Sequence, residues 1–329
     1  MKKIIMILCL SYANIVFAVD MITPIPNSIS YDKEKAKLGK SLYMDKSLSK
    51  DGKVSCNTCH RLDQHGVDGL EFSIGVDNQL DKPFNTPTTF NSVFNFVQFW
   101  NGRAKDLTEQ AMGPFFNPKE FVQFWNGRAK DLTEQAMGPF FNPKEMGLSP
   151  ELLLQKVNSN ENYVKTFKKL YGEVTVENIA LAVAEFEKTL ITPNSPFDRY
   201  LSGDQNAIST QAKKGYEDFK ANGCISCHQG QNIGGNMFQK IGIFEEYPNQ
   251  EDLGRYEITK READKMVFKV PSLRNIAKTA PYFHDGSIPT LDACVQFMAY
   301  YQLGKFLDQE TVDNIVAFLE SLTGEYHDK

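Results

Sequence analysis

Two pentapeptides constrain this chain more than any other feature: Cys56-Asn57-Thr58-Cys59-His60 and Cys224-Ile225-Ser226-Cys227-His228. Each sets two thiols three residues apart on one helical turn, where both can add to the vinyl groups of a single haem. The adjoining His is then placed to bind the iron from the proximal side. From six Cys and five His in 329 residues, roughly 0.002 such pentapeptides are expected by chance, so a pair is not accidental. A thioredoxin-like dithiol would not need the fifth-position His, and a zinc site would need its matching pair nearby in sequence. The motifs predict two covalently bound haem c groups, attached through Cys56, Cys59, Cys224 and Cys227, with His60 and His228 on the irons. A chain of this length supports two domains, and each haem adds a large apolar body to its own core.

The first residues agree with that chemistry. Lys2 and Lys3 precede an apolar run from Ile4 to Leu10, and Val16-Phe17-Ala18 supplies a small residue for cleavage before Val19. Residues 1–18 are expected to be a cleaved secretion signal, because the apolar run is too short and interrupted to span a bilayer; an uncleaved anchor is the alternative. Haem c is attached outside the cytoplasm, which in a bacterium means the periplasm. With Cys9 lost in the signal and four Cys in thioether links, Cys294 remains alone, reads as a small buried hydrophobe, and leaves no structural disulfide. A formal net charge of -5 argues against nucleic acid as a partner.

Helical periodicity dominates and alternating strands are scarce. Ser149-Pro150-Glu151 reads as N-cap, N1 and N2 of a helix through Leu152, Leu153 and Val157. Ile179, Val183, Phe186 and Leu190 mark one apolar face of another, ending before Pro193, and Asn194-Ser195-Pro196 reads as a hinge. The second haem motif follows a helical stretch from Ala212 to Phe219. A last helix starts near Asp308, buries Val312, Ile315, Val316 and Leu319, and stops at Gly324. The expected fold is mainly α, with two cytochrome c-like helical domains, residues 19–191 and 192–329, each around one haem.

The N-terminal half also contains a perfect tandem repeat: residues 96–120 recur letter for letter as residues 121–145. Solenoid repeats drift in sequence and come in threes or more, so identity points to a recent tandem duplication or an assembly artefact. Only one copy can fill the original slot, and the excursion can leave the first copy at any point and return at the matching point in the second. Looping out such a segment costs about 3 kcal/mol plus a constant in closure entropy, which a well-built domain survives. Exposing its Phe and Trp side chains is a further liability.

The two haem motifs, together with Asn91-Ser92-Val93-Phe94-Asn95, Gln98-Phe99-Trp100-Asn101-Gly102-Arg103, Glu145-Met146 and Thr279-Ala280-Pro281-Tyr282-Phe283-His284-Asp285-Gly286, resemble the bacterial dihaem cytochrome c peroxidases. The resemblance covers essentially the whole mature chain apart from the extra repeat. It implies reduction of hydrogen peroxide to water in the periplasm, with electrons from a small cytochrome c or copper protein, no stable membrane insertion, and a homodimer among the assemblies it allows. The N-terminal haem would be the peroxidatic one, and the C-terminal haem the high-potential acceptor of electrons. The resemblance implies Met298 as sixth ligand of the C-terminal iron, a soft thioether that raises the potential; Met237 and Met266 are rivals, and His284 could coordinate in principle. It implies Glu145 as general acid–base, since Glu145 keeps the Glu-Met junction whereas Glu120 is followed by Phe121. The pocket Gln would be Gln110 or Gln135, and the tryptophan between the haems Trp100 or Trp125. A calcium ion would take Asn85 and the carbonyls of Thr279 and Pro281.

One departure matters. Where many members carry a distal His after a Ser-Ile-Gly stretch, Ser73-Ile74-Gly75 is followed here by Val76, and His65 lies only five residues past His60, on the proximal side or at the surface. The first iron is therefore expected to be five-coordinate and open. A dihaem electron carrier would need both irons six-coordinate. A dihaem oxidase that modifies a partner, as in methylamine utilisation, would have Tyr where Met298 stands.

Overall fold

The computed structural model describes residues 21–81, 84–103, 106, 107 and 143–327. The expected signal, residues 1–18, and Gln110, Glu120, Trp125 and Gln135 lie outside the described residues. Helix α1 (Lys33–Met44) begins at Asp32, whose carboxylate accepts from the backbone N–H groups of Glu34 and Lys35. A single turn, α2 (Cys56–Cys59), carries the first haem motif. After the repeat come α3 (Pro150–Asn158), α4 (Glu161–Tyr171) and α5 (Val176–Glu187). The second half holds α6 (Pro196–Leu201), α7 (Thr210–Ala221), the short α8 (Tyr256–Thr259), α9 (Leu291–Leu303) and α10 (Gln309–Glu320). Strands β1 (Phe238–Lys240) and β2 (Val267–Lys269) pair antiparallel, with Gln239 opposite Phe268. The fold is mainly α, as the periodicity predicts.

Local details both follow and depart from the sequence reading. Ser149 caps α3 by accepting from Leu152 N at 3.2 Å, with Pro150 in the first turn. Helix α5 stops at Glu187, before Leu190, which is buried in the turn beyond. Helix α10 stops at Glu320 rather than Gly324, and Phe318, not the half-buried Val316, takes the enclosed position. Gly324 serves instead as a point of close approach: a Cβ there would overlap the Thr192 carbonyl.

Among the described residues two large apolar cores form, with a smaller cluster of Tyr247, Met266 and Phe268 beside them. Leu42, Tyr43, Phe90, Leu153, Phe167, Ile179 and Phe186 build the first, and Phe197, Tyr216, Phe219, Ile315, Phe318 and Leu322 the second. The ends of the chain cross over. Ile22 belongs to the second core, while Tyr326 meets Phe90 of the first edge-on at 4.7 Å. Each core uses one device to bring two of its helices together: a glycine against a backbone carbonyl, Gly39 of α1 on Ala182 of α5, and Gly215 of α7 on Asn314 of α10. A Cβ at either glycine would overlap that carbonyl, which cannot rotate away. Gly215→Ala is therefore expected to lose at least about 1–3 kcal/mol of stability, the range for overpacking a core. Urea denaturation checks this, and an unchanged midpoint would mean that the helices can spread at no cost.

The junction is not the hinge that Asn194-Ser195-Pro196 suggests. Ser195 is fully buried and caps α6 reciprocally with Asp198, at 3.0 and 3.1 Å. Asp198 also pairs with Arg274 at 2.6 Å, both side chains being enclosed, and Arg274 donates on to the carbonyls of Thr23 and Gln231. Asn91 and Asn275 both bond Thr192. Asn, Ser and Pro are linker residues by composition, but here they are a helix start, and the segment is held from both sides.

Candidate active site

Both haem motifs open onto one cavity of about 650 Å³, lined by residues from both cores. In each motif the turn closes the same way: His60 N donates to Cys56 O at 2.9 Å, and His228 N to Cys224 O at 3.0 Å. The first turn is fixed by Ser55, whose N–H donates to the Thr58 hydroxyl at 2.9 Å. The second is approached through Gly223, at φ +94, a conformation that favours glycine. His60 Nδ1 lies 3.3 Å from Gly66 O, and His228 Nδ1 3.4 Å from Ile233 O. A proton on Nδ1 satisfies each carbonyl and leaves Nε2 as the ligand atom. Burial holds both imidazoles neutral, His228 pushed down to about 4. Burial also raises the thiols, Cys59 to about 12 and Cys224 to about 11, the reverse of what a reactive redox dithiol needs. Paired thiols, an adjacent neutral imidazole and a shared cavity fit a haem at each end.

At the N-terminal end, Tyr43 Oη donates to His60 O at 2.7 Å and fixes the histidine's backbone. Glu145 lines the cavity, and its carbonyl accepts from Val76 N at 2.8 Å, so the Gly75-Val76 segment supports it from behind. Val76 itself is fully buried in the first core and does not line the cavity. His65 has left-handed backbone, is half-buried and lies off the cavity. The lining histidines are His60, His228 and His284.

At the C-terminal end, α9 presents Leu291, Cys294, Met298 and Gln302 to the cavity at helical spacing, placing Met298 mid-stripe. Cys294 thus faces the cavity, and burial pushes its thiol up to about 12. Met237 and Met266 do not line it; Met266 packs with Tyr247 and Phe268.

Trp100 lines the cavity where contributions from both cores meet, and its Nε1 donates to Asn85 O at 3.1 Å. Its ring lies edge-on to His284 at 6.4 Å, and His284 stacks on Phe268 at 4.2 Å. His284 Nε2 is buried without a partner, and burial pushes the ring down to about 4. Asn85 donates Nδ2 to Leu70 O and Glu71 O, which turns its amide oxygen away from them. Asn85, Thr279 and Pro281 line the same cavity, an oxygen-only donor set suited to a hard cation.

Among the ionisable residues lining the cavity, Arg103, Glu187 and Lys269 were given no role by the sequence reading. Arg103 stacks over Phe99 at 3.4 Å, pushed down to about 10 by burial while Glu145, Asp81 and Asp252 hold it charged. Glu187 is buried with Oε2 unpartnered, and burial pushes it up to about 8, so it keeps its proton at neutral pH. The signal for Glu187 is its spacing after Ala180, Val183 and Ala184, which puts a carboxyl on the buried stripe of α5. Lys269 is the third, a lysine between the apolar neighbours Phe268 and Val270.

The family model for di-haem cytochrome c peroxidases matches residues 33–123 and 120–206, so each repeat copy falls inside a match. The chain is 46% identical over 310 residues to a cytochrome c peroxidase of Escherichia coli (strain K12), covering 93% of this chain and 61% of that protein's length. It is 42% identical over 319 residues to the cytochrome c551 peroxidase of Nitrosomonas europaea, covering 96% of this chain and 88% of that one. A crystal structure of a MauG-like protein associated with microbial copper homeostasis superposes with a TM-score of 0.72 at 24% identity, covering 92% of this chain and 93% of that one, and shows the common fold.

Proposed function

The chain belongs to the di-haem cytochrome c peroxidase family, which makes it an oxidoreductase acting on peroxide, and we propose that hydrogen peroxide is reduced at the N-terminal end of the cavity with electrons received at the C-terminal end. Each turnover consumes one peroxide, two electrons and two protons and yields two waters. What supports this reading is the single cavity that the first haem motif shares with Glu145 and the second with Met298. Haem iron, when bound, supplies the Lewis-acidic and redox centre for cleaving the O–O bond.

The side chains do the rest. Glu145 takes a proton from the near oxygen of peroxide and delivers it to the departing one. The positive charge of Arg103 favours the ionised carboxylate that the first transfer requires. His60 and His228 would hold the two haem irons, Met298 would add a thioether ligand at the C-terminal one, and Trp100 would link the two sites. Gln110 or Gln135 would contribute the pocket amide. Asn85, Thr279 and Pro281 would hold calcium through oxygen. Val76 offers no imidazole, so that segment would supply no ligand to the N-terminal haem. The donor is a small cytochrome c or copper protein, the compartment is the periplasm, the working units are residues 19–191 and 192–329, and a homodimer is the assembly to test by light scattering.

The test is mass spectrometry of the exported protein, followed by steady-state peroxide reduction with a reduced small cytochrome c, alongside a version lacking one repeat. Two haem masses and turnover are expected. Haem extractable by acid acetone, or two haems without turnover in either version, would overturn the reading. Met298→His is further expected to lower the potential of the C-terminal haem, since imidazole donates more strongly to ferric iron than a thioether does. Spectroelectrochemical titration checks this; an unchanged high-potential couple would remove Met298 from the ligand set.

A further inference from the structure

Lys269 is a buried cation that meets no anion among the described residues. It is 7% exposed, and its ammonium is shifted by burial alone, with no carboxylate acting on it. The contrast with its neighbours is sharp. Arg274 meets Asp198 at 2.6 Å, and Arg103 is held charged by three carboxylates. The acidic residues lining the cavity are Asp81, Glu145 and Glu187, and none of them acts on Lys269. An unpaired buried ammonium is costly, and the chain would gain by an apolar residue of similar length unless a counter-charge arrives with whatever fills the cavity.

Position says which occupant brings it. Lys269 is the last residue of β2, and its backbone N–H donates to the Trp100 carbonyl at 2.8 Å. Two residues on, Pro271 lines the cavity beside His228, and its backbone acts on the His228 ring. Lys269 thus lies between the Trp100 segment and the proximal side of the C-terminal site. Haem carries two propionate carboxylates at one edge, and these are the anions its binding would deliver there. We infer that Lys269 is the internal counter-ion of a propionate of the C-terminal haem and holds that edge of the haem against the Trp100 segment. It is a positioning residue, and the inference rests on the reading that haem occupies this cavity.

K269M and K269R are compared with the native protein, each carrying both haems. Loss of a positive charge beside the haem favours ferric over ferrous iron, so K269M should show a lower midpoint potential at the C-terminal haem. Its propionate-bending band in the resonance Raman spectrum should also move. K269R keeps the charge and should keep both signatures near their native positions. A K269M protein with native potentials and an unmoved band would overturn the inference. If K269M does not load both haems, K269Q is read by the same two measurements, with the same result expected and the same result overturning. Should the native protein itself lack covalent haem, the functional reading fails; should it carry two haems that K269M leaves unperturbed, only the role of Lys269 fails.

Discussion

Glu145→Gln is expected to lower peroxide turnover by about 10²–10⁴-fold, the usual worth of general acid–base help, while both haem spectra stay in place. The substitution keeps size and polarity but removes the proton-accepting oxygen, and the backbone of residue 145 remains tied to Val76 N whatever the side chain. Steady-state rates with a reduced cytochrome c donor measure the loss. The repeat sharpens the experiment, because Glu120 has the same upstream sequence but a different following residue. If Glu120→Gln produces the loss instead, the first copy supplies the acid–base and the junction with Met146 is not the deciding feature.

The oxidised protein is expected to bind cyanide at the N-terminal haem at once, with a ferric high-spin signal present before any reductant is added. A switch that opens an iron on reduction must break a bond to a distal ligand. The residue following Ser73-Ile74-Gly75 is a valine buried in the first core, with its N–H committed to Glu145 O. His65 lies off the cavity, and the third lining histidine, His284, stacks on Phe268 and stands edge-on to Trp100. Half-reduction should therefore leave the cyanide-binding rate nearly unchanged. A resting protein that is low-spin at both haems and inert until half-reduced would end the claim of an open iron. His284→Ala and His65→Ala would then identify the capping imidazole.

The haem motifs and the starts of α3 and α10 were legible in the sequence because each depends on residues a few positions apart. Met298 was picked out by the family resemblance alone, and its place on the cavity-facing side of α9 became visible only in the fold. Lys269 and Glu187 were not legible as cavity residues, since what makes each unusual is a missing partner. A missing partner is a property of the three-dimensional surroundings, and neighbours in sequence do not record it. The junction misled for a related reason. Asn194-Ser195-Pro196 has a linker's composition, and only its long-range partner, Arg274, reveals it as buried structure. The glycines at 39 and 215 were equally silent, because the carbonyls they admit belong to helices far along the chain.

The crossing of the chain ends bears on how such a molecule can change over generations. Each half repeats one plan, a glycine-notched helix pair beside a haem motif. Yet Ile22 and the backbone at Thr23 and Pro24 now complete the second half, and Tyr326 completes the first. Each half thus takes part of its wall from the other. A half produced alone would carry an open seam, and a substitution at Ile22 or Tyr326 would be felt in the opposite half.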